Sequence, residues 1–207
     1  MKIAEVMTAN VLTVRPETSL KEVARILSAC GISGLPVVDD DERVVGVVSE
    51  ADILAKARRP HEDTRREKLL HQRRDGAKRE ARTAGDAMTS PAITIAPYRG
   101  LDVGAALMLD HAVNRLPVVD DEGRLEGIVS RADLVRAFAS SDARIEREIR
   151  DDVLRHELWL DSTGFDLSVR EGEVELSGRL DSDEQRELGE DRLRLVPGVV
   201  SVVVRAC

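Results

Sequence analysis

One pattern is written twice in this chain, and that repetition limits its possible folds more than any other feature. "GLPVVDDDERVVGVVSEADIL" at 34–54 returns as "RLPVVDDEGRLEGIVSRADLV" at 115–135, and "VMTANVLTVRPETSLKEVARIL" at 6–27 returns as "AMTSPAITIAPYRGLDVGAALM" at 87–108, always 81 residues on and without a gap. Two copies are too few for a solenoid, so the repetition predicts two similar units packed against each other.

Within a unit the signals follow a fixed order. "NVLTV" reads as a short apolar strand. In "PETSLKEVARIL", Leu20, Val23, Ala24 and Leu27 form one helical stripe that begins after Pro16. "LPVVDDDERVVGVVS" is two β-branched runs around an acidic turn, a hairpin, and "SEADILAKA" opens a second helix. The unit is therefore β-α-β-β-α, with a sheet that its twin can cover.

Composition sets the outer limits. A chain of 207 residues with 42% hydrophobic and 34% charged side chains is long enough for a folded core. Its four aromatics, Tyr98, Phe138, Trp159 and Phe165, leave that core aliphatic and argue against base stacking as a theme. The start "MKIAEVMTANVLTV" has no signal-peptide apolar segment, and no run approaches a membrane span, so a cytoplasmic location is expected. Cys30 and Cys207 have no metal or redox spacing, and Cys30 is expected as a small buried residue at a helix end. The net charge of −8 divides as −4 over 1–54, +6 over 55–84, −3 over 85–140 and −7 over 141–207. A basic linker or helical insert at 61–80 thus interrupts an acidic protein. A solvated charged face is the expected reading; a surface for nucleic acid or anionic lipid is the other.

Each hairpin runs into its following helix through Ser-x-x-Asp: Ser49 with Asp52, and Ser130 with Asp133. Two readings stand side by side. In a capping box, the hydroxyl accepts from a first-turn amide while the carboxylate reaches back. As a ligand seat, the helix start attracts phosphate and the carboxylate accepts from ribose hydroxyls.

These motifs, "MT", an apolar strand, "LPVVDD", then Gly46-Val-Val-Ser49-Glu-Ala-Asp52 and Gly127-Ile-Val-Ser130-Arg-Ala-Asp133, resemble the cystathionine β-synthase (CBS) domain pair, or Bateman module. The resemblance covers CBS domain 1 at 1–60 and CBS domain 2 at 81–140. It implies a pseudo-two-fold pair, a homodimer through the CBS domains, and clefts for adenosine-containing ligands: AMP, ADP, ATP or S-adenosylmethionine, with no tightly bound cofactor. Carried over by position, Val11, Leu12, Ile32, Ser33 and Pro36 line one adenine site, with Ser49 and Asp52 at phosphate and ribose. Ala92, Ile93, Val113, Asn114 and Pro117 line the other, with Ser130 and Asp133. The copies differ at Gly34 against Arg115 and at Glu50 against Arg131, and the two arginines point to the second cleft as the better phosphate site.

After residue 140 the pattern changes. "RIEREIRDDVLRHEL" places Ile145, Ile149 and Val153 on one helical stripe, "FDLSV" and "EVELSG" alternate as strands around Glu171-Gly172, "DSDEQRELGEDRLRLV" is a helix capped by Asp181 or Ser182, and "GVVSVVVR" is a closing strand. This αββαβ order, with "VREGEVELSG" and "VPGVVSVVV", resembles the BON domain, here 143–207. The family is associated with phospholipid attachment, a setting at odds with the −7 charge of this segment.

The fold class expected is thus α/β and α+β. His61, His71, His111 and His156 have no metal spacing, and no phosphate-loop or nucleophile motif occurs, which points away from an enzyme. The functional expectation is a regulatory protein whose CBS pair senses an adenosine-containing ligand and passes its state to the BON domain or a protein partner. The alternative is a structural adaptor with vestigial clefts that binds lipid, nucleic acid or protein through the insert and the BON domain, although neither membrane nor nucleic acid is favoured.

Overall fold

The computed structural model describes residues 1–57, 81–158, 164–178 and 183–206. The basic insert at 61–80, His61, His71, Trp159, the expected cap at Asp181 or Ser182, and Cys207 lie outside the described residues.

The first copy contains β1 (Thr8–Ala9), α1 (Leu20–Cys30), β2 (Gly34–Val38), β3 (Val44–Ser49) and α2 (Glu50–Ala57). Helix α1 starts where Ser19 Oγ accepts the Glu22 amide and stops at Gly31, whose φ of 62° suits glycine. Its stripe buries Leu20, Val23 and Leu27 against Leu35, Val37 and Val48. The second copy contains α3 (Ala84–Ala87), α4 (Leu101–Asp110), β4 (Arg115–Val119), β5 (Leu125–Ser130) and α5 (Arg131–Phe138). The expected strand "NVLTV" is reduced to one parallel bridge, Val14 to Val37, and its twin to Ile95 with Val118. Cys30 is exposed, not buried as expected, because the last turn of α1 lies beyond the stripe that ends at Leu27.

Two compact units form, and neither follows the repeat boundaries: one holds Met7–Pro97 with Arg115–Val129, the other Met1–Val6, Tyr98–Asn114 and Ser130–Cys207. In the first unit the copies exchange their opening segments. Strand β1 pairs with β5 of the other copy, Thr8 opposite Ile128, and Thr89 bridges Val47 of β3. Adding 81 to Thr8 gives Thr89, and subtracting 81 from Ile128 gives Val47. Contacts that recur with the two partners interchanged define an isologous pair. Arg43 bridges Arg124, its own twin, so the hairpin tips lie on the pseudo-two-fold axis. The same exchange recurs one turn on: the Ala84 amide donates to Thr18 in this unit, while in the other the Ile3 amide donates to Arg99.

Within the second unit the C-terminal third comprises α6 (Asp142–Glu148), a π-helical stretch Ile149–Glu157, β6 (Phe165–Arg170), β7 (Glu173–Gly178), α7 (Asp183–Arg194) and β8 (Ser201–Ala206). The sheet order is β6-β7-β8, antiparallel and then parallel. The expected helix thus changes its winding at Ile149. The Leu158 amide reaches back five residues to Val153, and the wider turn brings Ile149, Val153, Leu154 and Leu158 onto the core, where α winding would turn Asp152 and His156 inward. The β6–β7 turn has Glu171 at φ 50° and Gly172 at φ 77°, and Asp142 holds it by accepting both amides at 2.8 and 3.0 Å.

Candidate nucleotide-binding site

In both copies Ser-x-x-Asp closes on itself. Ser49 donates to Asp52 Oδ2 from its amide and its hydroxyl, each at 2.8 Å. Ser130 does the same to Asp133 Oδ2 at 2.8 and 2.6 Å, and its Oγ accepts the Asp133 amide at 3.4 Å, which completes a capping box at the start of α5. The capping box is thus complete at Ser130, and at Ser49 the carboxylate reaches back in the same way. This uses one carboxylate oxygen of each aspartate for the serine. The other oxygen of Asp133 takes the exposed Arg136 guanidinium at 3.1 Å, a partner that sequence reasoning did not foresee. Asp52 is the more enclosed of the two, 6% exposed.

The hairpin register brings the neighbouring candidates together. Gly34 pairs with Ser49 and Pro36 with Val47. Ser33 accepts the Glu50 amide, and the Val14 amide donates to Pro36. The segment with half-buried Val11 and exposed Leu12 therefore leads into the strand that carries Pro36. In the second copy Ile95 bonds Pro117 in the same manner, with half-buried Ala92 and Ile93 ahead of it. Val113, Asn114, Ser130, Arg131 and Asp133 belong to the other compact unit, where the Arg131 amide donates to Asn114.

The two arginines do not both serve the second copy, which corrects the expectation drawn from sequence. Arg115 crosses to the first copy, where Nη1 donates to the Gly34 carbonyl at 3.1 Å and Nη2 to Ser33 Oγ at 2.5 Å. Gly34 and Arg115 are twins 81 residues apart, so they face each other near the pseudo-axis, and a Cβ at Gly34 would lie 2.8 Å from Arg115 Nη1. Glycine is what leaves room for the guanidinium. Burial lowers the Arg115 pKa from its ordinary value, while the nearby Glu50 carboxylate pulls it back up. Arg131 instead turns onto the end of α4, with Nε on the Val113 carbonyl at 3.1 Å and Nη2 on the Met108 carbonyl at 3.2 Å.

His111 is exposed at the C-terminal end of α4. A cavity of about 330 Å³, lined by residues such as Leu101, Asp152 and Arg192, contains neither Ser-x-x-Asp pair. Among the described residues, no group of three or more His, Cys, Asp or Glu is arranged to hold a metal, and no helix is long and apolar enough to cross a membrane.

Comparison with known proteins agrees with this architecture. The model of the CBS domain matches residues 3–59 and 84–140, and that of the BON domain matches 141–207. The chloroplastic CBS domain-containing protein CBSX2 of Arabidopsis thaliana is 33% identical over an alignment of 145 positions that covers 62% of this chain and 58% of that protein. An uncharacterized Methanocaldococcus jannaschii protein, MJ1426, is 31% identical over 67% of this chain and 91% of its own length. Among solved structures, CBSX2 in complex with AMP has a TM-score of 0.58 at 33% identity and covers 66% of this chain and 94% of that chain. The CBS domain pair of protein MJ0100, in complex with 5′-methylthioadenosine and S-adenosyl-L-methionine, has a TM-score of 0.52 at 26% identity and covers 67% and 95%.

Proposed function

Because the chain belongs to the CBS-domain family, with a CBS pair followed by a BON domain, we propose that it is a regulatory protein that binds an adenosine-containing ligand through its CBS pair and passes the bound state to the BON domain or to a protein partner. The observation that carries this reading is the paired Ser-x-x-Asp at two helix starts, which offers carboxylate acceptors for a ribose diol beside a positive helix end. The relatives solved with AMP, and with S-adenosylmethionine and 5′-methylthioadenosine, support the ligand class.

The position of Arg115 favours a phosphate-bearing ligand at the first cleft. Its guanidinium lies on Ser33, a candidate lining residue, and a phosphate would exchange a hydroxyl and a carbonyl for a charge-assisted contact. Calorimetric titration with adenosine, AMP, ADP, ATP and S-adenosylmethionine tests the reading. We expect AMP to bind more tightly than adenosine, and Arg115→Met to remove about tenfold of AMP affinity while leaving adenosine unchanged. No binding by any of the five would favour the adaptor reading, in which Ser-x-x-Asp is a helix cap alone.

We also propose that the protein dimerises through its second helices. Leu54 on α2 and its twin Val135 on α5 are 68% and 69% exposed, apolar surface left in water unless a partner covers it. Light scattering at micromolar concentration should return twice the chain mass, and Leu54→Asp with Val135→Asp should return the monomer.

A further inference from the structure

The end of α4 and the start of α5 are tied by one side chain. Arg131 sends its backbone amide to the Asn114 carbonyl at 3.0 Å, Nε to Val113 and Nη2 to Met108. The Met108 carbonyl also accepts the Val113 amide, so the guanidinium completes the last turn of α4, where the helix end favours a cation. The first copy has the same backbone bonds, Glu50 to Ser33 and Ile32 to Leu27, but residue 50 is a carboxylate with no proton to donate.

We infer that Arg131 is a positioning residue: it pre-orders the Val113–Asn114 wall beside Asp133, whereas the corresponding Ile32–Ser33 wall of the first copy has no such tie from its own residue 50. This rests on the nucleotide-binding reading given above. The two walls then differ in kind. The wall beside Asp133 is organised before ligand arrives, by a cation already engaged with carbonyls, and the first receives its cation from the twin copy through Arg115. An ordered wall binds more tightly because less conformational freedom is lost on association.

Hydrogen exchange and titration of full-length Arg131→Met and Arg131→Lys test the inference. In the absence of ligand, Arg131→Met should speed amide exchange over 109–114 about tenfold, the loss of hydrogen bonds from a charged donor, and leave 28–33 unchanged. Adenosine and AMP should both lose affinity by a similar factor, at low and high salt alike, and Arg131→Lys should restore part of each effect. Loss of AMP affinity alone, fading as salt rises, would make Arg131 a phosphate contact and overturn the inference. Unchanged exchange over 109–114 would overturn it too, as would faster exchange with both affinities intact. If the unaltered protein binds neither compound, the nucleotide reading falls, while the exchange comparison still decides whether Arg131 orders the wall.

Discussion

Asp52→Asn is expected to lower AMP affinity about ten- to a hundredfold, the loss of a charged hydrogen-bonded contact of roughly 1.5–3 kcal/mol, while the protein still folds. Asparagine keeps the shape of the side chain, and its Oδ1 still accepts the Ser49 amide that Asp52 Oδ2 now holds. Its other terminus is an NH2 donor where the carboxylate has a second acceptor oxygen. A capping role alone costs on the order of 1 kcal/mol of stability and leaves affinity in place. Asp133→Asn should have the smaller effect on AMP, because Arg115 lies on Ser33 of the first copy. Sequence alone ranks the two the other way. Titration and thermal melting of both variants separate the roles, and undiminished binding in each would leave Ser-x-x-Asp as a cap.

The larger effect on stability is expected at Gly127 and Gly46. A Cβ at Gly127 would lie 2.9 Å from the Thr8 carbonyl and 2.7 Å from Met7 Sδ, and one at Gly46 would lie 3.0 Å from the Thr89 carbonyl and against Met88 Sδ. Methionine moves readily, but a backbone carbonyl fixed in an inter-strand pair does not. Gly127→Val should therefore force β1 away from β5 and destabilise the protein by about 1–3 kcal/mol, the usual cost of overpacking. For a chain of this size that is a fall of about 2–4 °C in melting temperature per kcal/mol. Gly46→Val should match it, since the two sites are twins. Gly164→Ala, where a Cβ meets nothing within 4 Å, is the control and should be silent. A silent Gly127→Val would mean that the exchanged strand contributes nothing to folding.

Local signals account for most of what sequence makes legible. The hairpin at 34–49, the stripe of α1 and the Ser-x-x-Asp cap at Ser130 each depend on residues close in the chain, and each is present as expected. Pairings between the copies have no such signal: nothing near Thr8 specifies Ile128, and only the folded chain brings the two together. Side-chain reach is equally hidden. Arg115 and Arg131 look alike in sequence, yet one crosses the pseudo-axis and the other folds back onto its own helix pair. A clue to the first was available, since an arginine facing its twin near a two-fold axis needs a residue as small as Gly34 opposite. The π winding after Ile149 also had a trace, because Ile149, Val153, Leu154 and Leu158 fit a wider turn better than the α period used to place Ile145, Ile149 and Val153.

The exchange of opening segments sets an order on how this chain is made. Thr8 leaves the ribosome long before its partner Ile128 exists, and at about 5–20 residues per second the wait is on the order of ten seconds. During that time the first copy has its own hairpin and helix but no edge for β1, and its Val47 waits for Thr89. A nascent first copy is thus an unfinished body with an unpaired strand edge, the kind of surface on which chains aggregate. The same arithmetic makes the copies poor candidates for separate life: a chain cut between them leaves each half lacking the strand the other donates, and only both fragments together, each lending its first residues to the other, would rebuild the sheet.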